Sequence, residues 1–108
     1  MLFPVELDHV KSGVMMTAET WRAFVDGVIL PTLARAEELM AQKTILAGGA
    51  VRGRIALRFI VEAGSLPEVD RIVSSLPLWP LAESRVAPLV SASDRRASVE
   101  ALIGKLAG

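Results

Sequence analysis

The chain has 108 residues, 12 Lys+Arg against 12 Asp+Glu, one His, no Cys, and 52% apolar residues that include only two Trp and three Phe. A chain of that length makes one domain able to bury about two thirds of its unfolded surface, so neither disulfide nor metal is needed to hold it. Zero net charge argues against a nucleic-acid or anionic-membrane binder, and the lack of Cys removes thiol nucleophiles, Cys-based zinc sites and redox pairs.

From Leu2 to Val10 apolar residues alternate, with Phe3, Val5 and Leu7 on one face and Pro4, Glu6 and Asp8 on the other. That period predicts a half-buried strand, with Pro4 near its start or at an unpaired position because proline donates no hydrogen bond. Residues 11–16 read as a loop through Gly13 that carries the apolar trio Val14-Met15-Met16. Thr17 has the chemistry of an N-cap, and Glu19 in the following turn suits the helix dipole. Trp21, Phe24, Val25, Val28 and Ile29, extended by Leu33, Ala36 and Met40, form the stripe of one amphipathic helix. Pro31 inside it removes the bond to the Gly27 carbonyl and predicts a kink or break near the middle.

Thr44 to Val51 is short and apolar, and Ile55, Leu57, Phe59 and Val61 then alternate against Arg54, Ala56, Arg58 and Ile60. These segments predict a hairpin turning at Arg52-Gly53, with Gly48-Gly49 marking a bulge or a close backbone approach. Ser65-Leu66-Pro67-Glu68 is a capping box with proline in the first turn, leading a stripe of Val69, Ile72, Val73 and Leu76. Ser84 to Val90 reads as a last strand, which Pro88 places at a sheet edge. From Ser93 onward, Val99, Leu102, Ile103 and Leu106 line a short C-terminal helix.

The order β-α-β-β-α-β plus a tail helix is the split βαβ arrangement of an α+β, ferredoxin-like sandwich. Its core is expected over residues 1–90 and a helical tail over 91–108 of one 108-residue domain. Right-handed crossovers place the first and third strands at the centre and the fourth at an edge. Two helices cover one face of such a sheet. The other carries Ala56 and Ile60 and is expected to add several of Leu46, Gly48, Val86 and Val90. The mean hydropathy of +0.45 is high for so small a domain and points to an interface. A second copy packed on that face would give a homodimeric α+β barrel, with higher oligomers open; the alternative is that the C-terminal helix covers the face within one chain. Apolar stretches fall short of the ~18 residues that span a bilayer. The start of the chain lacks the pattern of a signal peptide, so a cytoplasmic protein with no membrane partner is expected.

Met1-Leu2-Phe3 opening a strand, Val10-Lys11 closing it, a hairpin around Gly53 and, above all, Leu76-Pro77-Leu78-Trp79-Pro80 after the second helix resemble the muconolactone delta-isomerase family. The similarity runs from about Met1 to Leu89, and the Leu-Pro-Leu-aromatic-Pro stretch is its most specific piece. The resemblance implies a ferredoxin-like fold, dimers built into rings, no cofactor, and movement of a double bond within a butenolide ring during aromatic-compound breakdown. The chain departs from the family's pattern at Pro4 and Glu6, where the family has a histidine-lysine pair. Ile45, Leu46 and Ala47 stand where it has aromatic and basic residues, and Arg54-Ile55 is a less aromatic start to the third strand.

Moving a double bond beside a lactone carbonyl takes a base, positive charge or donors for the dienolate, and an acid to return the proton. Glu6 and Asp8 share one face of the first strand, and Arg54 and Arg58 share the corresponding face of the third. If those strands are neighbours, Glu6 or Asp8 comes near Arg58, which has the geometry to bind a substrate carboxylate bidentately. The other meaning of that pairing is an ion pair fixing register and dimer geometry. His9, the only imidazole, is either a third catalytic group or a structural residue at the strand end. Trp21 and Phe24 either line a substrate pocket lidded by Val14-Met15-Met16 or pack in the core. Trp79, between prolines, is expected as a rigid aromatic plug at a pocket or subunit contact.

No set of residues has metal spacing, Gly48-Gly49 precedes no helix N-terminus that would take a phosphate, and Arg95, Arg96 and Lys105 read as a solvated helix face. The expectation is a cofactor-independent, muconolactone isomerase-like enzyme acting on a small carboxylated lactone, with Glu6 as proton shuttle. The alternatives are a non-catalytic ligand-binding or structural dimer and a cofactor-free dimeric-barrel monooxygenase.

Overall fold

The structure, a computed structural model, describes residues 1–10 and 17–107. The loop expected over 11–16, including the Val14-Met15-Met16 lid, lies outside them. Strands β1 (Leu2–His9), β2 (Ile45–Ala50), β3 (Ala56–Glu62) and β4 (Ala82–Val86) form one antiparallel sheet in the order β2-β3-β1-β4. The first and third strands are therefore central and the fourth is at an edge, as the crossover rule requires.

Alternation sets the two faces. Phe3, Val5 and Leu7 lie opposite Val61, Phe59 and Leu57, and all six are buried beneath the helices. Pro4, Glu6 and Asp8 lie opposite Ile60, Arg58 and Ala56 on the other face. That open face is more polar than the sequence suggests. Val86 pairs with Val5 and packs against the core, Gly48 pairs with Phe59, and Val90 lies beyond β4. Because a one-residue change of phase moves every side chain of a strand across the sheet, placing Val86 inward brings Arg85 outward.

The boundaries of β4 also differ from the expected Ser84 to Val90. The strand runs Ala82–Val86, after which the Ala87 N–H donates to the Pro4 carbonyl at 3.3 Å and the Leu89 N–H to the Leu2 carbonyl at 2.9 Å. Successive N–H groups of an extended chain point to opposite sides, so the donor that Pro88 lacks falls on the unpaired edge. In the hairpin, Arg54 and Ile55 belong to the turn rather than to β3, and Gly53 takes φ +81° there. The register shifts between Ile45 and Ala47, and Gly48 adopts φ +127°. A Cβ on Gly48 would lie 2.0 Å from the Arg58 carbonyl oxygen, so this glycine is required by a close backbone approach.

The long first helix is a composite of α1 (Ala18–Phe24), a π-helical turn (Val25–Ile29) and α2 (Leu30–Ala41). Thr17 caps it, its Oγ1 accepting from the Thr20 N–H at 3.1 Å. The predicted disturbance by Pro31 takes the form of the wide turn, in which the Leu30 N–H reaches back to the Val25 carbonyl and Pro31 lies in the first turn of α2. The extra residue in that turn shifts the downstream stripe. Thr32, Ala36 and Leu39 are buried, whereas Leu33 and Met40 are only partly so. Helix α3 (Leu66–Ser74) starts on the capping box, with the Glu68 N–H donating to Ser65 Oγ at 3.3 Å. The returning arm of Glu68 accepts from the Gly64 N–H at 2.8 Å. Val69, Val73 and Leu76 seal the core.

The stretch Leu76 to Pro80 closes this layer. Leu76 and Leu78 are buried, and the Leu78 N–H donates to the buried Thr32 hydroxyl at 2.9 Å, tying the connection to α2. A single turn, Trp79–Leu81, then leads into β4. The tail helix α4 (Ala92–Ala107) is exposed along its whole length, including Val99, Leu102, Ile103 and Leu106. The radius of gyration is 18.2 Å, against about 13 Å for a compact chain of this size, so the helix projects from the sandwich instead of covering its open face.

Candidate active site on the open sheet face

β1 and β3 place carboxylates and guanidinium groups in register. Glu6 lies opposite Arg58, and Asp8 is one step along the same face, as alternation requires. Arg58 turns its fork toward Asp8, with Nη2 at 3.1 and 3.3 Å from the two carboxylate oxygens, while Nη1 donates to the Leu57 carbonyl at 2.9 Å. Arg54 reaches the same Asp8 oxygen from the hairpin turn. The hydrogen bond from Arg58 holds the Asp8 carboxyl below its usual value of 3.8, against a partial loss of hydration, and the charges of Arg58, Arg54 and Arg85 act in the same direction. Asp8 is thus a fixed anion, stabilised in the form that does not carry a proton.

Glu6 is placed differently. Its carboxylate is 3.7 Å from Arg58 Nε, beyond hydrogen-bonding distance, and its side chain keeps 45% of its exposure. Two depressions meet at it. One, of about 310 Å³, is lined by Pro4, Glu6, Ala47, Arg58 and Ile60; the other, of about 270 Å³, is lined by Pro4, Glu6, Arg85, Val86 and Ala87. A carboxylate beside open space and near a positive charge that it does not touch is equipped to take up and return a proton.

The remaining residues expected at a site are on the other side of the sheet. His9 continues the inward phase of Phe3, Val5 and Leu7, and its ring packs at a tilt against Phe24 with centroids 5.0 Å apart, so it does not face Glu6. Phe24 is buried, and Trp21 packs on it at 5.8 Å while remaining 44% exposed. Trp79 is 42% exposed at the start of its turn; its neighbour Leu78, not the indole, lines the apolar cavity of about 130 Å³ between α2 and the hairpin. That cavity, bounded by Ile29, Leu33 and Ile55, offers no carboxylate or imidazole. A further recess of about 390 Å³ beside His9, Gly53 and Arg54 opens at the end of the sheet. Sequence reasoning brings Glu6 and Asp8 close to Arg58 as found, but Arg54 reaches Asp8 from the turn and not from β3, and Arg85, opposite Glu6 across β1 and β4, is passed over. The alternation Ser84-Arg85-Val86 carried that signal. Only its phase was missing.

Among the described residues, no three His, Cys, Asp or Glu side chains stand together as a metal-holding group, and no helix is long and apolar enough to cross a membrane.

The family profile described as muconolactone delta-isomerase matches residues 1–94. No curated protein matches the chain. Among solved structures, a crystal structure of muconolactone isomerase superposes with a TM-score of 0.66 at 18% identity, covering 84% of this chain and 90% of that one. A 5-chloro-2-hydroxyhydroquinone dehydrochlorinase from Burkholderia phenoliruptrix, in complex with 2,5-dihydroxybenzoquinone, does so with a TM-score of 0.62 at 23% identity, covering 87% and 98%. At these identities the two superpositions establish the shared fold.

Proposed function

The chain belongs to the muconolactone delta-isomerase family, and from that premise we propose that it is a small enzyme of aromatic-compound breakdown that moves a double bond in a carboxylated unsaturated lactone by proton transfer. The observation that carries this reading is the depression lined by both Glu6 and Arg58, with Glu6 in a loose ion pair at 3.7 Å from Arg58 and not hydrogen-bonded to it. A sealed Glu6–Arg58 pair with no space beside it would have favoured a purely structural role.

The reaction conserves atoms and needs no oxidant. The Glu6 carboxylate takes a proton from the γ-carbon of an α,β-unsaturated lactone. The electron pair left behind spreads through the ring to the carbonyl oxygen as a dienolate. Protonated Glu6 then returns the proton to the α-carbon, leaving the double bond between the β- and γ-carbons and Glu6 ionised again. Arg58 supplies the positive charge that stabilises the dienolate, and it is held in place by Asp8 and the Leu57 carbonyl, so little reorganisation accompanies the charge shift. Asp8 cannot easily exchange roles with Glu6, because its hydrogen bond and two neighbouring guanidinium groups keep it ionised.

Water must be kept from the dienolate, and the open face of one chain leaves Glu6 half exposed. A second copy of the chain packed over this face would provide the cover and make the protein a homodimer, the partner expected from the hydropathy of the sequence.

The test is solvent exchange. A butenolide bearing a carboxymethyl group, incubated with the protein in deuterated water, is expected to gain deuterium at the α-carbon, because the half-exposed Glu6 carboxyl exchanges its proton with solvent between abstraction and return. Glu6→Gln is expected to lower the rate by about a hundredfold or more. A rate unchanged in Glu6→Gln removes Glu6 from the reaction.

A further inference from the structure

We propose that Arg85 is the anchor for the substrate's carboxylate, and that the depression between β1 and β4 is the subsite that receives it. The proposal rests on the assignment of Glu6 as the proton-transfer group and adds the feature that would orient a substrate around it.

Three arginines surround Glu6 and Asp8 on the open face, and their engagements differ. Arg58 donates to Asp8 and to the Leu57 carbonyl, and Arg54 donates to Asp8, so an arriving anion would have to displace Asp8 from both. The Arg85 side chain makes no hydrogen bond among the described residues. Its one acidic neighbour within ion-pair distance there is Glu83, at 3.6 Å from Nη2, and both side chains are well exposed, at 72% and 64%. An exposed pair at that separation is weak and easily exchanged for a better acceptor. The guanidinium fork of Arg85 is therefore the one available for bidentate binding of a carboxylate.

Its position suits the chemistry. Arg85 stands opposite Glu6 in the β1–β4 register and lines the depression of about 270 Å³ that Glu6 also borders. On the far side of Glu6 lies the depression of about 310 Å³, floored by Pro4, Ala47 and Ile60. Both share Pro4 and Glu6. A planar ring fits over the apolar floor, a side-chain carboxylate extends across β1 to Arg85, and Glu6 lies between them, next to the carbon that joins ring and side chain. The ligand class is a small unsaturated ring with one carboxylate on a short arm. A ring without the carboxylate would lose the contact that sets its direction across β1.

The experiment uses the full chain and two probes, a butenolide bearing a carboxymethyl group and its methyl ester, with binding followed by calorimetry into the millimolar range. The unaltered protein is expected to prefer the acid. Arg85→Gln is expected to weaken binding of the acid by about tenfold to a hundredfold while leaving the ester unchanged, and Arg85→Lys to restore part of the loss. Arg58→Gln is expected to slow exchange without a selective loss of the acid. Equal binding of acid by the unaltered protein and Arg85→Gln, a selective loss of the acid in Arg58→Gln instead, or no binding of the acid by the unaltered protein would each overturn the proposal. Failure of the proton-transfer reading looks different: the acid binds in an Arg85-dependent way, yet its hydrogens do not exchange with solvent.

Discussion

The two faces of the central strand pair are built from the same eight residues of β1 and seven of β3, taken alternately, and they do different work. The inward phase, Phe3, Val5, Leu7, Leu57, Phe59 and Val61, is buried and apolar, and it holds the helices. The outward phase contains Glu6, Asp8 and Arg58, in register with Arg85 from the edge strand. The difference teaches that a period of two lets one short strand secure a core and aim charged groups with the same backbone. Rigidity on one side limits how far the charged groups on the other can drift from their positions.

The sharpest way to break this division is to damage each face in turn. Phe59→Ala removes a buried ring from the centre of the core and is expected to cost about 3–5 kcal/mol of stability, read as a fall in the denaturation midpoint. Arg58→Gln, its neighbour on the other face, is expected to change the midpoint far less while slowing solvent exchange into the lactone. If the two variants lose stability equally, the division of labour is wrong. Gly48→Ala tests the contact between the faces, since its Cβ would meet the Arg58 carbonyl oxygen at 2.0 Å in a backbone conformation that alanine resists. A loss of about 1–3 kcal/mol is expected, together with weaker catalysis through displaced Arg58.

Thr32→Val leaves the Leu78 N–H without its buried acceptor and is expected to cost about 1–3 kcal/mol, with exchange at the Leu78 amide accelerated in hydrogen-exchange measurements. Another effect concerns pH. Asp8 is held below 3.8 by its hydrogen bond to Arg58, so its contribution to stability is intact above that value and fades as pH falls through the lower folded-state value. Asp8→Asn is expected to flatten the acid limb of a stability-against-pH curve and leave the limb above pH 5 parallel to that of the unaltered protein. An unchanged acid limb would mean that the arginine contacts to Asp8 do not persist in solution.

Tail residues give a control on the comparison. Leu102 is exposed on α4, so Leu102→Ala is expected to alter the stability of the sandwich by less than about 0.5 kcal/mol. A larger loss, dependent on protein concentration, would show that the helix packs on a second copy.

Much of this architecture could be read before any coordinates. Alternation at Phe3, Val5 and Leu7, the cap at Thr17, the capping box at Ser65 and the turn at Gly53 each state a local rule that short-range chemistry enforces. Chain crossover rules then put β1 beside β3 and brought Glu6 to Arg58. Pro31 signalled a disturbance, yet its form, a wide turn that moves Thr32 and Leu39 into the core in place of Leu33 and Met40, was not legible. A kink, a break and an inserted residue all satisfy the same missing N–H, and packing against the sheet chooses among them.

Period, capping and chain connectivity suffice for the order of elements, for which strands meet, and for which of their residues share a side. Assembly of the sheet places Asp8, not Glu6, in hydrogen bonds with Arg58, turns His9 inward to Phe24, sets Arg85 of β4 beside Glu6, and leaves α4 standing away from the sheet. Those outcomes depend on register between distant segments and on competition among side chains for the same donors. No local pattern in the chain encodes either one, since both are settled when the strands come together.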